Sequence, residues 1–118
     1  MFDYQIDRLP YEIAVVSVQG SLDAGNRDYF FGCIEGLLAE GFGKIVIDCD
    51  GLGNVSSAGL ASMLRARSKM QKNGGKIYLA GVNAVIAEVL NITRLNRLFA
   101  IYPTRRHAIK ELYKGAPA

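Results

Sequence analysis

The run Lys44-Ile45-Val46-Ile47-Asp48 sets three consecutive β-branched residues between charged ends. A strand built from it has no polar alternate positions to give to water, so both of its faces must be covered. The sequence supplies covers on each side. Upstream, Tyr29, Phe30, Cys33, Ile34, Leu37 and Leu38 recur at spacings of three and four within residues 24–40, and Gly41-Phe42-Gly43 ends that helix. Downstream, Leu60, Met63, Leu64 and Met70 follow helical spacing until Asn73-Gly74-Gly75.

The rest of the chain extends this pattern. Phe2, Tyr4 and Ile6 alternate with polar residues, Leu9-Pro10 interrupts, and a second strand over 12–19 suggests an N-terminal antiparallel hairpin. Gly20-Ser21-Leu22-Asp23 reads as a turn and residues 49–55 as a Gly-containing loop. A strand over 77–80, a helix over 84–90, a strand over 98–102 and a helix over 104–114 complete the chain. The order β-β-α-β-α-β-α-β-α predicts an α/β domain. Its sheet is mixed and mainly parallel, with the hairpin at its start and four helices packed on it. At 118 residues a single domain over 1–118 is expected, and Gly115-Ala116-Pro117-Ala118 reads as a frayed tail.

Several classes of function are disfavoured. The uncharged apolar stretches are far shorter than the roughly 20 residues of a membrane span, and Asp3 and Asp7 stand where a signal peptide would be basic. The expectation is a cytoplasmic protein with no membrane insertion. Cys33 and Cys49 lack metal or redox spacing and read as buried free thiols. One His and two scattered Cys offer no metal site. The net charge of +3 does not by itself argue for nucleic acid. Between Asp50 and Glu88, however, there is no acidic residue, while Arg65, Arg67, Lys69, Lys72 and Lys76 all lie there. Arg65, Lys69 and Lys72 share one helix face by spacing, which reads as a solvated outer face. No aromatic residues interleave with it for base stacking, so no nucleic acid partner is expected, although docking to an acidic protein surface stays open.

The chemistry of interest lies in IVIDCDGLGNVSSAGL, residues 45–60, which passes from a buried strand to a helix N-terminus. First-turn amides without internal partners favour an anion there. Of Ser56 and Ser57, one should cap the helix, worth about 1 kcal/mol, and one could accept a phosphate. Asp48-Cys49-Asp50-Gly51 resembles the start of the haloacid dehalogenase phosphatases, but no downstream acidic pair exists to hold magnesium. Gly51, Gly53 and Gly59 complete neither nucleotide-binding glycine pattern. A serine hydrolase would have to rely on His107, without a G-x-S-x-G elbow.

Taken together, Gly20-Ser21-Leu22-Asp23, the 45–60 run, Asn73-Gly74-Gly75-Lys76, the strand ending Ala80-Gly81 and VLNITRLNRLFAIYPT resemble a STAS domain of the bacterial anti-sigma factor antagonist type, over nearly the whole chain. Many members carry Asp-Ser-Ser/Thr-Gly-Leu where this chain has Ser56-Ser57-Ala58-Gly59-Leu60. Aligned on Gly59-Leu60, the phosphoacceptor falls on Ser57, Ser56 takes the place of the Asp, and Ser56 is the second candidate. The resemblance implies a STAS fold and a partner-switching role with no catalysis and no cofactor. The unphosphorylated domain would bind an anti-sigma factor that is a serine kinase and so free a sigma factor. Phosphorylation would end the binding, and a serine phosphatase would restore it. The partner-binding residues implied are Asp23, Ser56, Ala58, Gly59 and Arg65. The alternative is a phosphorylation-independent STAS subunit of a regulatory or transport complex, in which the serines only cap the helix.

Overall fold

A computed structural model describes residues 1–114; the expected frayed tail, 115–118, lies outside the described residues. The five strands β1 (Phe2–Leu9), β2 (Ile13–Leu22), β3 (Lys44–Val55), β4 (Lys76–Ala80) and β5 (Ala100–Tyr102) form one sheet in the order β1-β2-β3-β4-β5. The first pair is antiparallel and the other three are parallel. Each parallel step crosses over through one helix: α1 (Arg27–Ala39), α2 (Ser57–Lys72) and α3 (Ala84–Ile92), the last followed by a 3-10 turn at Leu95–Arg97. Successive right-handed crossovers made in the same direction place α1, α2 and α3 on one face. The closing helix α4 (Arg105–Tyr113) lies on the other face.

The alternation of side chains divides the core accordingly. Ala14, Val16 and Val18 of β2 and Ile45 and Ile47 of β3 pack toward the first three helices with Phe30, Ile34, Met63 and Leu90. Ile13 and Val15 of β2 and Val46 of β3 pack toward Ala108 and Leu112 of α4. The β-branched run is therefore covered on both sides, as its composition requires.

The hairpin turns through Pro10, Tyr11 and Glu12, with Tyr11 and Glu12 both at φ +63°. Leu9 pairs with Ile13 across this turn.

Two expected connections are strands instead. The second strand runs on through Gly20-Ser21-Leu22, and the turn comes at residues 23–26. β3 does not stop at Asp48 either. Residues 51–55, expected as a loop, pair with 19–22 across register shifts after Ser17 and Gly20. Cys49, Leu52 and Val55 are the buried positions of this stretch. Spaced every third residue, they follow a bulged strand rather than a regular pleat. The last strand is shorter than expected, because Phe99 turns into the core ahead of it.

Candidate functional site

The long β2–β3 pair ends at one corner of the sheet, and α2 starts there. Leu22 pairs with Val55, and its carbonyl accepts the Ser56 N–H at 2.9 Å. This fixes where the strand ends and hence which serine begins the helix. Ser56 has extended backbone angles, its Oγ accepts the Gly59 N–H at 3.2 Å and its carbonyl accepts the Leu60 N–H at 2.8 Å. Ser56 is the cap. Ser57 is the first helical residue and is exposed.

Gly59 explains why the helix can sit so close. A Cβ built on it would stand 2.3 Å from the Leu22 carbonyl oxygen and 2.8 Å from Val55 Cγ2. Both neighbours are fixed by the sheet ladder, so only glycine lets the first turn of α2 press onto the ends of the two strands.

Asp23 follows directly after Leu22 and is half-buried. Its N–H donates to Asn26 Oδ1 and its Oδ1 accepts the Gly25 N–H, each at 2.9 Å. Asn26 Nδ2 donates in turn to the Ser21 carbonyl at 2.9 Å. The turn is thus closed by its own side chains, and Asn26 closes it although nothing in its sequence context marks it out.

Ala58 is half-buried, Gly59 is buried and Arg65 is exposed, two turns along α2. The face carrying Arg65 is solvated, as its spacing suggests, but two of its three basic side chains have neighbours on α1. The Arg65 guanidinium lies over the Phe31 ring of α1 at 3.9 Å from its centroid, and Lys69 reaches Glu35 of the same helix at 3.9 Å. Only Lys72 ends in open solvent. Arg67 turns elsewhere and donates from Nε to the Leu98 carbonyl at 2.5 Å.

The other chemical candidates are drawn apart or occupied. Asp48 is nearly buried, and its Oδ2 accepts from Arg105 Nε at 2.8 Å while its Oδ1 accepts the Asp50 N–H at 3.1 Å. Arg105 also donates to Asp7 Oδ2 at 2.9 Å and to Ser17 Oγ. That guanidinium anchors α4 to three strands. Sequence reasoning missed Arg105, although an Asp at the end of a doubly covered strand calls for a cation. His107 lies on α4, on the face away from the serines, 3.9 Å from Glu111. No group of three or more His, Cys, Asp or Glu could hold a metal among the described residues. Cys33 and Cys49 are both free and buried. Burial pushes the Cys33 thiol up to about 11 and, with Asp48 adding to the effect, the Cys49 thiol up to about 12. Both stay protonated at neutral pH and are poor nucleophiles. No helix among the described residues is long and apolar enough to cross a membrane.

The chain is 25% identical to a Thermotoga neapolitana protein described as a homolog of an anti-sigma factor antagonist, over 95% of this chain and 97% of that one. The crystal structure of an anti-sigma factor antagonist from Mycobacterium paratuberculosis has the same fold. It aligns with a TM-score of 0.83 at 22% identity over 94% of this chain and 93% of its own. The anti-sigma factor antagonist SpoIIAA, solved in its unphosphorylated form, aligns with a TM-score of 0.74 at 15% identity over 96% and 99%. The sheet order and the helix placement described above are those of these folds. Residues 5–108 match the STAS domain, and the chain belongs to that family.

Proposed function

We propose that this protein is an anti-sigma factor antagonist that works by partner switching, with Ser57 as the phosphorylated residue. The observation that carries the reading is the division between the two serines: Ser56 caps α2, and Ser57 stands exposed beside it. A phosphate on Ser57 would add about −1.5 to −2 charges at pH 7, at the positive end of the helix dipole, where negative charge is favoured. Modification would leave the fold in place and act on whatever docks there. The names of the related antagonists support the role.

In this reading the unphosphorylated domain binds an anti-sigma factor that is also a serine kinase, and a serine phosphatase reverses the modification. The docking face comprises Asp23, Ser56, Ala58, Gly59 and Arg65. Asp23 gives that face a fixed negative group, held by its own turn close to the start of α2, which opposes a second negative charge. Catalysis belongs to the partners and not to this chain.

The test is a pull-down from host lysate with wild-type and Ser57→Asp proteins as paired baits. Wild type is expected to retain a protein of the ATPase kinase fold that the aspartate form loses, and Ser57→Ala to retain it while resisting phosphorylation. If both baits hold the same partners, Ser57 is not a switch and the domain is a phosphorylation-independent interaction subunit.

A further inference from the structure

Beside the serines, α1 and α2 leave a groove between their N-terminal halves. Ala58, Ala61, Ser62 and Arg65 of α2 line it together with Arg27 and Phe31 of α1. Ser62 Oγ donates to the Arg27 carbonyl at 3.3 Å and joins the two helices at its centre. Phe31 carries the Arg65 guanidinium over its ring, 3.9 Å from the centroid. A guanidinium stacked in this way keeps its planar set of donors available at its edge.

The charges in the groove are unmatched. Among the described residues neither Arg27 nor Arg65 has a carboxylate within ion-pair distance, whereas the ion pairs that do form engage Arg8, Lys69, Arg105, His107 and Lys114. No acidic residue occurs from 51 to 87 to supply one. Asp28 stands on the rim as the single negative group.

We infer that this groove seats an acidic side chain, aspartate or glutamate, of the protein that docks on the serine face, with Arg65 and Arg27 as its donors. Forked arginine donors match a carboxylate. Asp28 tolerates one such group but opposes a polyphosphate, and Phe31 is buried beneath Arg65 with no open ring for a base to stack on. A protein partner is therefore favoured over a nucleic acid. The inference rests on Ser57 as the switch and gives that switch a mechanism. On a helix, Ser57 and Ala61 are neighbours about 5–6 Å apart between Cβ atoms. A phosphate on Ser57 would stand beside the seated carboxylate and drive it out by like-charge repulsion, without any change of fold.

The probe is a synthetic glutamate-rich helical peptide, with its glutamine version as control, titrated at low salt into 15N-labelled protein while the arginine Nε–Hε resonances are followed. The glutamate peptide is expected to shift the Arg65 and Arg27 signals, and the glutamine peptide to leave them in place. Arg65→Gln should weaken binding about tenfold, Arg65→Lys less, and Ser57→Asp about fivefold. Ser57→Ala should bind as wild type does. An unmoved Arg65 signal, equal affinity for Arg65→Gln in a protein with unchanged amide spectrum, or a response to oligothymidylate without one to the peptide would each overturn the inference. The two readings fail separately. Partners retained by Ser57→Asp in lysate, with arginine shifts still caused by the peptide, would remove the switch and leave the seat. Partners lost by Ser57→Asp, with no arginine response to the peptide, would do the reverse.

Discussion

Ser56 and Ser57 are chemically alike and adjacent, yet one is half-buried in a hydrogen bond to Gly59 and the other faces water. Their substitutions should separate accordingly. In urea unfolding, Ser56→Ala is expected to cost about 1 kcal/mol, and Ser57→Ala to stay within about 0.5 kcal/mol of wild type. An equal loss for both would mean that the capping is shared. The sequence shows that a cap is needed but not which serine supplies it, because the choice depends on the Leu22 carbonyl that receives the Ser56 N–H. Arg65 teaches the same lesson. Its spacing with Lys69 and Lys72 describes α2 alone, and the Phe31 ring that holds it belongs to another helix.

At the scale of the element, the site depends on how far β3 reaches. The strand is 12 residues long and delivers Val55 and Ser56 to the end of β2, where α2 packs through Gly59. Gly59→Ala has no room on either side and should destabilise the protein by about 3 kcal/mol or more. The measurement is a denaturation midpoint, together with the amide spectrum of the first turn of α2. A midpoint near wild type would show that α2 can lift away from the strands at little cost. The proximal half of β3 is plain in Ile45-Val46-Ile47, whose pattern belongs to a strand and to nothing else of that length. The distal half is hidden, since Cys49, Leu52 and Val55 recur at three where a regular strand recurs at two, and the intervening glycines suggest a loop. Its pairing with residues 19–22 supplies the order that its own sequence does not.

For the whole molecule, the strand and helix alternation is enough to read an α/β sheet with a leading hairpin, and right-handed crossovers do the rest. What alternation does not reveal is how the second face is closed. Arg105 holds α4 against Asp7 of β1, Ser17 of β2 and Asp48 of β3, and its partners lie as many as 98 positions away in sequence. Removing it strands a nearly buried carboxylate. Arg105→Ala is expected to cost about 2–3 kcal/mol, and the double variant with Asp48→Asn less than the two single losses combined. Additive losses in a urea double-mutant cycle would show that the pair is not coupled.

The same tie bears on how the chain comes to be folded. Every strand pairs with its neighbour in sequence, so the sheet can be assembled step by step as the polypeptide leaves the ribosome, with each crossover helix closing a short loop. The contacts of α4 with the first two strands, those of Arg105 among them, span most of the chain, so they form last. Until residues 105–113 are synthesised, Ile13, Val15 and Val46 have no cover on that side. A nascent chain stalled short of α4 would present a bare apolar sheet face, which is the kind of surface that chaperones hold and proteases reach.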